Sequence, residues 1–560
     1  MISKWKISEP NLIKSRNLSE SLEVSLDIAK LLILRNIETF SQAKSFFRPQ
    51  LNNMHDPFKM KGMQKAVDRI ILAIQKKQKV LIYGDYDVDG TTAVSLVFEF
   101  FRDKILDIDY YIPDRYTEGY GVSMASIDYA KKNNYSLIIA LDCGIRAVEQ
   151  VDYAHKKYID FIICDHHNPG DQLPLAIAIL NPKQADCTYP FKELSGCGVG
   201  FKLVQAYCIS QNIDLDSTIH LLDLLAISIA ADIVPINGEN RTLMFFGLKQ
   251  LNSKPRPGLL ALINIAEKKN EIKISDILFG IAPLINAAGR IIHGKKAVQV
   301  LIEKKISQAN IYAKEIKENN NTRKELDKSI TEEAIKKIDS QKKSTVLYSS
   351  KWHKGVVGIV ASRVIEKFYK PTIILVEKDG MLTGSARSVH DFDIYQAINE
   401  CAYLCEKFGG HKYAAGLSIK KENIEAFILK FEEVVSRDIK DDQLNMKFNI
   451  DLEISLAQIN NKFFRLIKQF APFGPINPNP KFISKNVHLN SCRAIGQDKS
   501  HLKCIASDNL GFQIEAIGFG LATKLPLLNN SLTVSICYGI TENIWNGKTT
   551  NQIIIYDIRI

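Results

Sequence analysis

Three aspartates at alternate positions, Asp85, Asp87 and Asp89, follow the apolar run Val80-Leu81-Ile82-Tyr83-Gly84 and precede Gly90-Thr91-Thr92. The run reads as a short buried strand, and alternation at period 2 directs the three carboxylates to one side. Three like charges converging at a strand's carboxyl end repel unless something positive lies among them, and a divalent metal ion is the simplest such partner. A solvated acidic turn with a helix N-cap is the plainer alternative, but the register behind a buried strand favours a metal or phosphate site. Two further groups have the same setting: Asp142-Cys143-Gly144 behind residues 136–141, and Asp165-His166-His167 behind residues 161–164. Asp232 ends an apolar helix over 221–231, where capping and ligation are equally natural. Aspartate and histidine without cysteine form a hard to borderline ligand set that suits Mn²⁺ or Mg²⁺ better than structural zinc. Two such ions about 3.5–4 Å apart activate a water and neutralise a phosphate, which points to phosphoester or phosphoanhydride hydrolysis.

The elements that must position these groups alternate. Strands at 80–84, 108–112, 136–141 and 161–164, with helices at 91–101 and 123–132 among them, predict a largely parallel sheet with helices on both faces. Ligands gather at the carboxyl ends of such strands, where Asp85, Asp87, Asp89, Asp142, Asp165, His166 and His167 all fall. Upstream, residues 1–60 read as a helical lead-in, and 64–78 as an amphipathic helix. Pro283-Leu284-Ile285-Asn286-Ala287-Ala288-Gly289-Arg290 reads as a small-residue turn presenting one arginine. Residues 302–343 are highly charged with one apolar stripe, as in one or two long helices joining domains, nicked at Asn319-Asn320-Asn321.

A second strand-helix-strand unit follows, with strands at 344–348 and 371–376. Its helix opens on Trp352-His353-Lys354-Gly355-Val356-Val357-Gly358, a glycine-rich segment that leaves backbone N–H groups for an anion without the lysine of a Walker loop. Gly384-Ser385-Ala386-Arg387-Ser388 and Phe408-Gly409-Gly410-His411 each pair close backbone approach with a donor side chain. From about 445 to 560, short β-rich runs at 501–506, 512–519, 532–538 and 552–558, with a proline-rich connection at 472–480, predict a small barrel.

A length of 560 residues suggests three or four domains, and 46% hydrophobic with 24% charged residues is ordinary for globular protein. The segment Met1-Ile2-Ser3-Lys4-Trp5-Lys6-Ile7-Ser8-Glu9-Pro10 lacks the apolar core of a signal peptide, and no uninterrupted apolar run is long enough to cross a bilayer, so a cytoplasmic protein is expected. Ten cysteines without a C-x-x-C pair argue against a zinc ribbon or a thioredoxin-type motif and for reduced thiols. A net charge of +11 is a modest hint of a polyanionic partner.

Asp165-His166-His167, with Asp85-Tyr86-Asp87-Val88-Asp89-Gly90 before it and Asp232-Ile233-Val234-Pro235 after it, resembles the DHH phosphoesterase superfamily. Trp352 through Arg363, Gly384-Ser385-Ala386-Arg387-Ser388 and Gly409-Gly410-His411 resemble its DHH-associated domain. Their order, spacing and the β-rich tail are similar to the branch of that superfamily that degrades single-stranded DNA from its 5′ end. The resemblance implies an α/β fold: a parallel-sheet DHH phosphoesterase domain joined by a long helix to a smaller α/β DHH-associated domain, plus a C-terminal OB-like β-barrel. Expected limits are 1–60 for the lead-in, 61–300, 301–343 for the linker, 344–440 and 441–560.

The resemblance assigns Asp87, Asp89, Asp142, His166 and Asp232 as ligands of two divalent ions, Mn²⁺ or Mg²⁺, with Asp85 counted in the same set. Asp165, His167 and Arg290 are implied as catalytic groups. Arg115, Ser385 and Arg387 match the group that holds a 5′-terminal phosphate, and His353, Gly410 and His411 the nucleic-acid groove. The family usually has arginine where Leu284 stands and glycine where Ile476 stands. The implied activity is two-metal hydrolysis of single-stranded DNA, 5′→3′ to mononucleotides, in DNA repair and recombination. Single-stranded DNA, a helicase and a single-strand-binding protein are the implied partners, with no membrane contact and a monomeric chain. A DHH phosphodiesterase acting on short oligonucleotides or cyclic dinucleotides is the first alternative, but an extra β-rich domain has no evident use on a small molecule. A non-catalytic single-strand-binding subunit is the second, and it leaves the retained acids unexplained.

Overall fold

Five parallel strands carry the first group of acids: β1 (Lys79–Gly84), β2 (Ile108–Tyr111), β3 (Tyr135–Leu141), β4 (Asp160–Cys164) and β5 (Ala178–Leu180), in the spatial order β2-β1-β3-β4-β5. Val80, Leu81, Ile82 and Tyr83 are wholly buried, as are Leu137 to Leu141, because helices cover both faces of such a sheet. The chain leaves β1 towards β2 on one side and returns with β3 on the other. This reversal opens a crevice outside the carboxyl ends of β1 and β3, the place where ligands settle in open α/β sheets. The computed structural model describes residues 4–268, 270–444, 447–528, 533–545 and 548–559. Met1–Ser3, Asn445 and Leu532, on which some expectations above also fall, lie outside them.

Three local expectations are corrected. Helix α1 (Val88–Phe101) starts three residues earlier than position 91, because the Asp87 side chain accepts the Gly90 N–H at 3.0 Å and caps it. Asp85 therefore follows the strand, Asp87 caps a helix and Asp89 lies in its first turn, so the convergence of the three acids is not that of a strand. The 283–290 segment is no turn: α4 (Ala282–Ile291) runs through it, preceded by a π-helical stretch at Ile277–Ile281. The charged linker is one 31-residue helix, α5 (Ile306–Lys336), unbroken at Asn319-Asn320-Asn321, because Asn320 is buried by packing that outweighs its weak helix propensity. Helices α2 (Gly196–Ser210) and α3 (Leu222–Ala231), which lie between α1 and α4 in the chain, pack on α1.

A second sheet has the order β9-β10-β8-β7-β6, from β6 (Thr345–Ser349), β7 (Thr372–Lys378), β8 (Met381–Arg387), β9 (Lys407–His411) and β10 (Ala414–Lys420). Only β6 and β7 are parallel, joined by α6 (Val357–Phe368). One face of β8–β10 packs Leu382, Ala386, Ala415, Leu417 and Ile419 into an apolar core.

By contact the chain divides into two units, residues 55–234 with 246–446, and residues 3–54 with 235–245 and 447–560. In the second, β11 (Lys481–Ile495), β12 (His501–Ser507), β13 (Gln513–Gly518), β14 (Val534–Trp545) and β15 (Lys548–Arg559) pair as β11-β12-β13-β15-β14, and β14 pairs back to β11. The barrel is closed, which removes the sheet edges. Lys4–Ile7 pairs in parallel with Lys447–Ile450, and Ile28, Leu31 and Leu32 share one core with barrel residues such as Phe482, Leu502 and Tyr538. The proline-rich connection is pinned by buried side chains: Asn477 donates to the carbonyls of Phe470 and Pro472, and Arg241 to those of Phe46, Phe470 and Ala471. Ile476 stands in the left-handed region at φ 66°, which explains why glycine suits that position. Leu284 is 4% exposed on α4, a site where an apolar side chain is at home. Among the described residues one helical stretch, Ile274–Ile291, is long and apolar enough by composition to cross a membrane, and half of it is buried inside the fold, as in a core helix.

Candidate active site

Acids from strand ends and from two helices meet at the switch point. His166 Nε2 lies 3.2 Å from Asp142 Oδ1, 3.6 Å from Asp232 Oδ2 and 3.8 Å from Asp89 Oδ2, although the first three residues follow β4, β3 and α3 and Asp89 lies in α1. Asp142 reaches the centre through a left-handed backbone at φ 58°. Asp85 is buried, and neither of its oxygens has a hydrogen-bond partner; Asp142 Oδ1, Asp232 Oδ2 and His166 Nε2 are likewise buried and unpartnered. Such groups are costly in a folded protein unless something outside the chain completes them. Two sets of three, Asp142 with His166 and His167, and Asp89 with His166 and Asp232, offer ligand atoms within 4.8 Å of one another. Burial first, and then the neighbouring carboxylates, push the pKa values of Asp85, Asp87 and Asp142 up and that of Asp232 to about 9. A cation reverses both effects, so this oxygen-rich set with one imidazole fits a hard divalent ion.

Asp89 and Asp165 are held differently. Asp89 accepts the backbone N–H groups of Gly196 at 2.6 Å and Cys197 at 2.9 Å, and the Ser228 hydroxyl at 2.7 Å. It therefore sits on the positive end of α2, which Ser195 caps. A Cβ on Gly196 would lie 2.5 Å from Asp142 Oδ1, so only glycine lets this helix approach. The Ser195-Gly196-Cys197-Gly198-Val199-Gly200 run was the available signal for this contact, and it escapes a search confined to strand ends. Asp165 Oδ1 accepts the N–H groups of His166 and His167 and bonds His167 Nδ1 at 2.7 Å, while Oδ2 accepts the Ile145 N–H. Burial alone would raise its pKa, but these bonds outweigh burial and hold it at about 2. Asp165 thus orients His167. Burial would lower the pKa of His167, but its bond to Asp165 and the charges of Asp165, Asp89 and Asp87 raise it. Its Nε2 meets the Tyr120 hydroxyl at 3.1 Å, a contact that motif reading did not supply.

Across the crevice stand cations. Arg115 stacks on the Tyr86 ring at 4.7 Å, in a loop braced by Asp114 and Glu118, and Tyr116 of that loop donates to the Arg290 carbonyl. Arg290 Nη1 donates to the Gly355 carbonyl at 2.9 Å, and His353 Nδ1 accepts the Gly355 N–H. Arg387 Nη1 donates to Ser385 Oγ at 2.6 Å, and both lie against Gly358 in the first turn of α6. Burial, then the charges of Arg115, Arg323 and Arg387, lower the pKa of Arg290 to about 10. Side chains opposite one another in paired strands share a face, so His411, Ala414 and Arg387 form one row and Gly409, Gly416 and Ser385 the next. A Cβ on Gly409 meets nothing within 4 Å, so packing does not demand glycine there; the small residues leave an open floor. Gly410, on the opposite side of the strand, is required by contact, since its Cβ would lie 2.4 Å from the Ala414 carbonyl. His411 is exposed and about two strand spacings, roughly 10 Å, from Arg387.

Comparison with known proteins agrees with this geometry. Family models described as "DHH family, N-terminal domain", "DHHA1 domain" and "RecJ OB domain" match residues 79–229, 341–437 and 450–557. The chain is 35% identical to the single-stranded-DNA-specific exonuclease RecJ of Bacillus subtilis, over all of this chain and 71% of that protein. It is 33% identical to the protein of that name from Escherichia coli, over 89% of this chain and 90% of the relative. The chain belongs to the RecJ family. The fold agrees: the Mn²⁺ complex of RecJ from Thermus thermophilus superposes with a TM-score of 0.86 at 24% identity, over all of this chain and 80% of that one. An exonuclease RecJ bound to manganese superposes at 0.60 and 28% identity, over 68% of this chain and 96% of that one. Membership of the RecJ family accounts for the fold class expected from the sequence, DHH domain, DHH-associated domain and OB barrel together.

Proposed function

We propose that this chain hydrolyses single-stranded DNA from the 5′ end to mononucleotides with two divalent ions, Mn²⁺ or Mg²⁺. The observation that carries the reading is the placing, in one unit, of unpartnered acids and His166 at a sheet switch point opposite a cluster of arginines. The RecJ relatives named as single-strand-specific exonucleases, and the relative bound to manganese, support the choice of substrate and ion. We assign Asp85, Asp87, Asp89, Asp142, His166 and Asp232 to the ions. When bound, the ions supply an activated water and neutralise charge at the phosphorus under attack.

The chain's own residues do the positioning. Asp165 holds the His167 ring so that Nε2 faces the crevice, where a phosphoryl oxygen takes the place of the Tyr120 hydroxyl. Arg115, Ser385 and Arg387 clamp the terminal phosphate, and guanidinium forks match its oxygens. Arg290 faces the scissile phosphate, with His353 bracing the Gly355 turn beside it. A strand with a free end fits this clamp, which gives the direction of digestion. Gly410 shapes the strand that carries the floor and His411 edges it, and we assign single-strand holding to the barrel as well. We assign catalysis to 61–300, linkage to 301–343, phosphate binding to 344–440 and strand holding to 441–560 with 1–60.

A nuclease restricted to single strands needs them opened and kept open, so a helicase and a single-strand-binding protein are its natural partners in cytoplasmic DNA repair and recombination. The test is digestion of end-blocked oligonucleotides with Mn²⁺ or Mg²⁺. A 3′-blocked strand is expected to disappear and a 5′-blocked strand and blunt duplex to persist; the reverse pattern overturns the polarity.

A further inference from the structure

We propose that Arg323, on the bridging helix α5, is a further phosphate-binding residue that takes the strand phosphate next to the terminal one, with Asp327 as its positioning residue. The inference rests on the proposed exonuclease reading and extends its binding site to an element that no motif marks. Arg323 Nε is buried and has no hydrogen-bond partner. A guanidinium donor in that state requires an acceptor that the folded chain does not supply. Its surroundings say what kind. Helix α4, which carries Arg290, packs along α5, and Arg323 is one of three arginines whose charges bear on Arg290. No carboxylate among the described residues lies within ion-pair distance of Arg115, Arg290, Arg323 or Arg387. The three guanidinium charges of Arg115, Arg290 and Arg387 already exceed the charge of about −2 on one terminal phosphate. A second phosphate of the strand, shared by Arg290 and Arg323, brings the cluster nearer to neutrality.

Asp327 explains why Arg323 does not simply turn to solvent. It lies one helical turn further along α5, is wholly buried and meets Arg363 Nη2 of α6 at 2.7 Å. Thr331, the next turn on, approaches its other oxygen at 3.5 Å. Burial raises the Asp327 pKa, and the charges of Arg363 and Arg323 oppose that rise. The carboxylate thus sits between two arginines, one on the bridging helix and one on the helix whose first turn faces Ser385 and Arg387. Its direct partner is Arg363, and its charge attracts Arg323 towards the same point between α5 and α6.

The test is equilibrium binding of 5′-phosphorylated and 5′-hydroxyl oligonucleotides to the full chain, with metal chelated, across a KCl series. For Arg323→Gln, affinity for both strands is expected to fall about tenfold, and the slope of log K against log salt to drop by about 0.7, the value of one single-strand phosphate contact. The ratio between the two ends is expected to stay at the wild-type value. Arg323→Lys, which keeps the charge, should restore the slope without restoring full affinity, and it serves if the glutamine variant fails to fold. Asp327→Asn should weaken affinity severalfold with the end ratio unchanged. An unchanged slope in Arg323→Gln overturns the proposal, and so does a loss confined to the phosphorylated strand. Arg387→Ala tests the clamp separately: if it leaves the end preference intact, the terminal-phosphate reading fails while the Arg323 slope still decides this one.

Discussion

One residue type serves opposite ends within this site. Asp165 gives both oxygens to protein donors and stays ionised down to about 2, whereas Asp232 keeps Oδ2 unpartnered and is pushed up to about 9. The first is a positioning group and the second an acceptor that no protein donor satisfies, although each follows an apolar element in the sequence. Asp165→Asn is expected to lower turnover at least a hundredfold while DNA affinity changes less than about threefold, as single-turnover kinetics and binding will show. The folded Asp165 pKa lies below the usual unfolded value of about 3.9, so its stabilisation is present above that value and lost as pH falls through about 2. Asp165→Asn should flatten the acid limb of thermal stability over that range; an unaltered limb would remove the His167 bond from the account.

At the scale of elements, the approach of α2 decides the geometry. Its first turn presents two N–H groups to Asp89, and its capping Ser195 bonds Ser228, which in turn donates to Asp89. Gly196→Ala places a methyl group 2.5 Å from Asp142 Oδ1, and helix or carboxylate must yield. The expected cost is about 1–3 kcal/mol of stability, with Mn²⁺ affinity reduced at least tenfold; metal titration with thermal unfolding measures both. Wild-type Mn²⁺ affinity in this variant would show that α2 does not set the ligand positions. The strands beneath were legible because their apolar runs are local; the capping of α1 by Asp87 was less so, because an aspartate at alternate spacing satisfies a strand pattern equally well.

At the scale of the molecule, the acids make the metal-free fold pH-sensitive. A carboxyl whose pKa is raised on folding binds more protons in the native state, so stability declines as pH rises from about 4 towards the folded value. With Asp232 at about 9 and Asp85, Asp87 and Asp142 also raised, the chelated protein should melt at falling temperature from pH 5 to pH 9. Mn²⁺ at a hundred times its Kd should stabilise by about 2.7 kcal/mol and remove most of that slope. A scanning-calorimetry series with Mn²⁺ and with chelator checks both; equal slopes in the two series would show that the ion does not sit among these acids.

The sequence by itself determined the strand-end positions of Asp85, Asp142 and Asp165, the two α/β regions and the barrel, because hydrophobic period and turn chemistry act over a few residues. Its motif spacing also led to the RecJ-like architecture. Only the tertiary structure decided which acids are unpartnered and which are locked, since Asp165 and Asp142 differ by donors from Ile145 and the 166–167 backbone and not by local pattern. It alone brought Gly196 against Asp142, and the bridging helix along the helix that carries Arg290, where the charge of Arg323 bears on that arginine. Those contacts span tens to hundreds of residues, and their energies depend on distance and burial in three dimensions, which no local spacing encodes.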